Sequence, residues 1–218
     1  MLHSDTTTYS TGKTLLMQLY TSATTPFGRK IVVQIYESGL ADRVTLTEVG
    51  GTPLSPGTLP LGQNPLGKIP ALALGDGQAL YDSRVISRYL DDLSGAGLYP
   101  KGADLWPVLV LEATADGILD AALLMVYEAR LRPEDLRFAP WVDGQWAKIS
   151  RALDAVEAGS LPLLSGPLSM AQIALGSALG YLDFRLDTRI WRDGRPGLAG
   201  WAAEFARRPA MLATAPKA

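Results

Sequence analysis

The sequence predicts an α/β + all-α protein, a mixed unit followed by an all-helical one. Three observations carry that prediction. Up to about residue 94, short apolar runs of strand length alternate with stretches of helical spacing. Ser94–Asp104 (SGAGLYPKGAD) then interrupts the pattern with the composition of a linker. Beyond it the periodic stretches are helical, and no internal repeat stands out. The 218-residue chain therefore divides into a tail (1–16), an α/β unit (17–94), a linker (95–104) and a helical unit (105–218).

The opening residues are rich in Thr and Ser and lack periodicity, as a tail would be. Order is expected to begin in the apolar run Leu15–Tyr20, read as a strand. Pro26 suits the first turn of a helix, where its missing N–H costs nothing. Phe27, Ile31, Ile35 and Tyr36 follow at helical spacing, and Gly39 supplies the stop. Val44–Val49 alternates as a half-buried strand. The Gly- and Pro-crowded segment GGTPLSPGTLPLGQNPLG forms a wandering loop. Ile69–Leu74 and Gln78–Tyr81 read as strands joined at Gly75-Asp76-Gly77. Asp82 or Ser83 caps a helix with the apolar face Val85, Ile86, Tyr89, Leu90 and Leu93. In the second unit, Leu105–Leu131, Glu134–Ala158, Ser169–Leu186 and Leu198–Arg207 read as helices, and Leu161–Pro167 as an extended connector.

Composition excludes whole classes of chemistry. With 47% apolar residues the chain can bury a real core, and 20 Lys+Arg against 22 Asp+Glu leave no basic field for nucleic acid. Zero cysteines exclude disulfides, thiolate metal sites and a cysteine nucleophile, and the lone His3 cannot build a triad or a multi-histidine metal site. No apolar run reaches the ~18 residues a membrane span needs, and no secretory signal opens the chain. A cytoplasmic location without membrane association, and no metal, are the expectations. Chemistry must come from hydroxyls, carboxylates, Arg/Lys, backbone amides, or a group that the ligand brings.

Three segments carry a family resemblance: Asn64–Leu72 (NPLGKIPAL), Leu80–Leu90 (LYDSRVISRYL) and Ser169–Arg185 (SMAQIALGSALGYLDFR). In this order and spacing the chain resembles a glutathione transferase from Met17 to about Arg208. Thr25-Pro26-Phe27-Gly28-Arg29-Lys30 is similar to a bacterial subgroup whose first helix opens Ser/Thr-Pro-Phe-x-Arg-Lys. The resemblance implies a thioredoxin-like N-terminal domain, an all-helical C-terminal domain and a homodimer. It also implies glutathione as co-substrate and a small hydrophobic electrophile as acceptor, the chemistry of detoxification. One departure stands out: Gln172 occupies a position where relatives usually carry Asp.

A protein without cysteine can run thiolate chemistry when the ligand supplies the sulfur. Lowering a free thiol, of pKa about 8.5, by about two units needs roughly 2.7 kcal/mol of thiolate stabilisation. Hydroxyls and a helix N-terminus are a plausible source. By resemblance, the hydroxyl directly before the proline maps to Thr25 in omega-like members, and one residue earlier to Thr24 in theta- and delta-like ones. Ser22 is a third hydroxyl in reach, and Thr25 is alternatively a mere helix cap. Resemblance also implies a cis bond at Ile69-Pro70, presenting Ile69 to the cysteinyl backbone, the alternative being an ordinary trans proline at a strand start. Lys68 either meets the glycyl carboxylate or is a solvated lysine. Asp82-Ser83 joins helix amides and a hydroxyl for a carboxylate with an acidic partner for an ammonium; a γ-glutamyl group has both. Ser169-Met170-Ala171-Gln172 has capping-box form and is assigned to folding. Trp106, Met125, Tyr127 and Tyr181 are the acceptor-pocket candidates. The alternatives are a non-catalytic glutathione-binding or regulatory protein, and a glutathione-dependent isomerase or peroxidase.

Overall fold

Residues 16–216 are described by the computed structural model, and their first strand is β1 (Met17–Thr21). The expectation for residues 1–15 lies outside the described part; Leu16, at its edge, is exposed. After β1 come α1 (Pro26–Glu37), β2 (Val44–Glu48), β3 (Ala71–Ala73), β4 (Ala79–Leu80) and α2 (Ser83–Ser94). The sheet order is β2-β1-β3-β4, with β1 parallel to β2 and antiparallel to β3, and β3 antiparallel to β4. The helical domain comprises α3 (Leu105–Leu131), α4 (Ala139–Gly159), α5 (Leu161–Leu164), α6 (Met170–Arg185), α7 (Pro196–Phe205) and α8 (Pro209–Ala213).

The elements form where local chemistry favours them. Pro26 opens α1, and Gly39, at φ +69°, takes the left-handed conformation that ends it. α1 is buried on two sides. Ile31 and Ile35 join Met17, Leu19, Leu72, Ile86 and Leu90 on the sheet side, while Val33 belongs to the core of the helical domain. α6 is apolar almost all round, because it runs through the centre of that core.

Four local expectations are corrected. Val85 points outward, at 48% exposure, although Ile86 and Leu90 are fully buried. The helix expected from Glu134 starts at Ala139: residues 134–136 make a single 3-10 turn, and Pro140 favours a fresh start. Leu161–Pro167 is not wholly extended, since Pro162 sits in the first turn of α5, where proline is tolerated. The short α8 had no periodicity long enough to read.

Gln172 explains how the chain manages without the usual Asp. Its Oε1 accepts from the Ser169 N–H at 2.7 Å, the glutamine arm of the capping box. Its Nε2 donates to the Leu164 and Gly166 carbonyls at 2.9 and 3.2 Å, work a carboxylate cannot do. Gln172→Ala is expected to cost about 2–3 kcal/mol, since buried backbone groups lose their partners. Gln172→Asp should recover only the capping share in urea unfolding; a full recovery would show that the Nε2 bonds contribute nothing.

Candidate active site

The register of the sheet places three loops at one edge. β1 ends at Thr21 and β4 at Leu80, both running toward the same side; β3 starts there, with Ala71 opposite Tyr20. Residues 22–25, Ile69-Pro70 and Tyr81-Asp82 therefore converge beyond that edge, where α1 and α2 begin. Two helix N-termini with unpaired amides thus serve one region. Both the Ile69–Pro70 and Tyr81–Asp82 peptides are cis.

The hydroxyl loop is a tight turn. Thr25 N–H donates to the Ser22 carbonyl at 3.3 Å, and Thr25 is the N-cap of α1. Its side chain makes no capping hydrogen bond, so the bland alternative of a hydroxyl spent on the helix does not apply. Thr24 is exposed and Thr25 half-buried, and both line a small cavity with Ala23, Pro26, Arg29, Ser177 and Tyr181. Ser22 contributes its carbonyl to the turn and is not among the lining residues. Gly28 is required by the close approach of α1 to β1: a Cβ there would collide with Thr21 Oγ1 and Thr25 Cγ2.

Asp82 is the N-cap of α2, its Oδ1 accepting from the Arg84 N–H at 3.0 Å. One carboxylate oxygen is thereby committed to the helix. Ser83, the first residue of α2, is buried beside it. Lys68 is exposed, while its carbonyl accepts from Asn64 Nδ2 at 2.8 Å. Asn64 Oδ1 also accepts from the Leu66 N–H at 3.0 Å, so this buried side chain shapes the turn leading into Ile69-Pro70. Of the four acceptor-pocket candidates, Tyr181 lines the cavity, Met125 is core, Tyr127 is half-buried, and Trp106 is 65% exposed.

A buried ion network fixes these two helices against α3. Lys30, fully buried in α1, binds Asp116 at 2.8 Å and Glu112 at 3.4 Å. Arg84 of α2 binds Asp116 at 2.8 Å, and the Tyr99 hydroxyl donates to Glu112 at 2.8 Å. Burial holds the Glu112 carboxyl above the ordinary range, against the opposing pull of Lys30. Burial and the Glu112 charge likewise push the Tyr99 phenol up, and the hydrogen bond to Asp116 raises Arg84. Lys30, Arg29, Asn64 and Ser177 carry no individual role in the sequence pattern, although all four lie in the segments that carry the resemblance, the first two in Phe-x-Arg-Lys.

Among the described residues, no cluster of His, Asp and Glu could hold a metal ion, and no helix is long and apolar enough to cross a membrane. Two family models match the chain: "Glutathione S-transferase, N-terminal domain" over residues 24–93 and "Glutathione S-transferase, C-terminal domain" over residues 139–204. The chain is 31% identical to the uncharacterized GST-like protein YibF of Escherichia coli K12, covering 92% of this chain and 98% of that one. It is 44% identical to a glutathione transferase family member from Pseudomonas fluorescens Pf-5 solved with bound glutathione, with a TM-score of 0.91 over 93% of this chain and 100% of that one. A second structure of that Pseudomonas protein, with bound S-(propanoic acid)-glutathione, matches at 43% identity and a TM-score of 0.86 over 92% of this chain and 100% of that one.

Proposed function

Because this chain belongs to the glutathione S-transferase family, we propose that it binds glutathione and activates its thiol for attack on a small hydrophobic electrophile. The observation that carries the reading is the convergence of two helix N-termini at one sheet edge, with a threonine hydroxyl left uncapped at the first and Asp82-Ser83 at the second. We place the chain in the bacterial subgroup whose first helix opens Ser/Thr-Pro-Phe-x-Arg-Lys. In this reading, residues 17–94 hold glutathione and residues 105–218 supply the acceptor side, with 95–104 between them. Thr25 meets the sulfur, with Thr24 and then Ser22 as the alternatives. Ile69, beside Pro70, pairs with the cysteinyl backbone, Lys68 meets the glycyl carboxylate, and Asp82-Ser83 hold the γ-glutamyl end. The chain works as a cytoplasmic homodimer in detoxification.

The chemistry follows from these placements. The thiol loses its proton to solvent, and the thiolate is favoured by the Thr25 hydroxyl and the positive end of α1. The free oxygen of Asp82 faces an ammonium, while the α2 amides and Ser83 face a carboxylate. A ligand-bound relative supports the binding half: the Pseudomonas protein carries glutathione in one structure and S-(propanoic acid)-glutathione in another. The test is thermal or denaturant unfolding with glutathione and S-hexylglutathione, followed by conjugation of an aryl halide. A ligand at 100 times its Kd stabilises by about 2.7 kcal/mol. No shift with either ligand would overturn the reading; binding without turnover of aryl halide, hydroperoxide or maleyl-type substrate would favour the non-catalytic alternative.

Loss of Asp82 should act on binding. Asp82→Ala is expected to weaken glutathione about tenfold to a hundredfold by calorimetry, the worth of a charge-assisted hydrogen bond. It also removes a helix cap worth about 1 kcal/mol. Asp82→Asn keeps the capping oxygen, so a binding loss that persists there isolates the charge.

A further inference from the structure

We propose that Arg29 and Ser177 form an anion-binding subsite beside the thiol position, so that the preferred acceptors are electrophiles bearing a carboxylate. The proposal rests on the glutathione-binding reading above and adds the charge class of the second substrate.

The first observation is the cavity beneath the hydroxyl loop. It measures about 10 Å³, room for one water-sized group such as a carboxylate oxygen, and it is walled by Thr24, Thr25, Arg29, Ser177 and Tyr181. The remainder of an acceptor would extend outward past the exposed Thr24. Ser177 Oγ is fully buried on this wall, and no hydrogen-bond partner meets it among the described residues. A hydroxyl in that position is incomplete without a polar guest.

The second observation is how Arg29 is held. It lies one helical turn beyond Thr25 on the same face of α1, with the Arg29 N–H bonded to the Thr25 carbonyl at 2.9 Å. Its Nη2 donates to the Met211 carbonyl at 3.1 Å, and its Nε points to Thr214 Oγ1 at 3.4 Å, both neutral oxygens. Nη1 packs over Gly180, where any Cβ would strike it. The bare α6 backbone at Gly180 therefore lets the guanidinium reach the wall shared by Ser177 and Tyr181. Burial lowers the Arg29 pKa, as expected of a cation short of compensation.

Further cations act on Tyr181 from outside the cavity. The Tyr181 phenol is pushed up to about 12 by burial, against the opposing fields of Arg185 and Arg130. Arg185 Nε is itself buried without a hydrogen-bond partner among the described residues. Arg and hydroxyl donors bind a carboxylate more strongly than a neutral amide, which is the basis of such selectivity.

Two matched pairs test the proposal: 4-chloro-3-nitrobenzoate against 4-chloro-3-nitrobenzamide, and iodoacetate against iodoacetamide. In each the C–S bond forms, the carbon–halogen bond breaks, halide leaves, and the thiol proton goes to solvent. Catalysed kcat/KM, divided by the uncatalysed rate with glutathione thiolate, is expected to favour the acid about tenfold to a hundredfold in at least one pair. Arg29→Gln should bring that ratio close to one, Arg29→Lys should keep part of it, and Ser177→Ala should reduce it. Because each ratio is taken within one variant, partial unfolding cancels. Calorimetry of the two aryl conjugates should show the same preference without turnover. Equal handling of acid and amide in both pairs, with neutral acceptors still conjugated, overturns the subsite alone; absent glutathione binding overturns the functional reading with it. A ratio that survives Arg29→Gln while the bound thiol pKa rises overturns the subsite too, and makes Arg29 a thiolate stabiliser.

Discussion

Replacing Lys30 by methionine is expected to lower stability by about 3–5 kcal/mol, because it leaves buried carboxylates without their central cation. Lys30 is fully buried and binds both Asp116 and Glu112, so methionine preserves the stem and removes only the charge. The deficit should depend on pH with a definite sign. Burial already raises the Glu112 pKa, and Lys30 opposes that rise. Without Lys30 the native state takes up a proton at Glu112 more readily than the unfolded chain does, so the deficit narrows as pH falls from 7 toward the carboxylate range. Urea unfolding at several pH values checks both parts. A loss under about 1 kcal/mol, or one unchanged by acid, would mean that solvent reaches the network. Glutathione affinity should also fall, since the network aligns the starts of α1 and α2.

Thr25→Val is expected to cost about threefold to twenty-five-fold in kcat at neutral pH while altering glutathione affinity little. Valine keeps the branched shape and deletes the hydroxyl, and no capping bond is lost because Thr25 makes none. The mechanism fixes the pH dependence. Losing a thiolate donor raises the bound thiol pKa by about one to two units; from a value about two units below the free 8.5, the reactive fraction near pH 7 drops about threefold to twenty-five-fold. Above the raised pKa both proteins hold thiolate, and their rates should converge. Ultraviolet titration of bound glutathione reads the pKa independently of turnover. An unaltered titration and rate would move the role to Thr24, where the same substitution is then decisive.

What could be read from sequence was whatever is local or long. Leu105–Leu131 was legible residue for residue because 27 residues of helical period leave no alternative. The pairing of hydroxyls with Pro26, and the cap at Asp82, were legible because a helix start is written within a few positions. Lys30 was not, since its burial depends on partners 82 and 86 residues away. Ser177 hid inside an apolar helix, where nothing local separates a tolerated serine from one facing a cavity. Leu161–Leu164 was missed because Pro162 reads equally as a breaker or as a first-turn residue.

α8 and its flanking residues close on the first helix. Arg208 grips Glu37 through two bonds of 2.8 and 2.7 Å, and Arg29 reaches Met211 and Thr214, contacts spanning 171 to 185 residues. Contacts of that span form late, because the entropy of closing so long a loop is met before they yield anything. The sheet and its hydroxyl loop rest largely on contacts within the N-terminal unit, whereas the seat of Arg29 is supplied by α8, about 180 residues further along. Docking of α8 on α1, rather than folding of the sheet alone, therefore sets where Arg29 sits beside the hydroxyls.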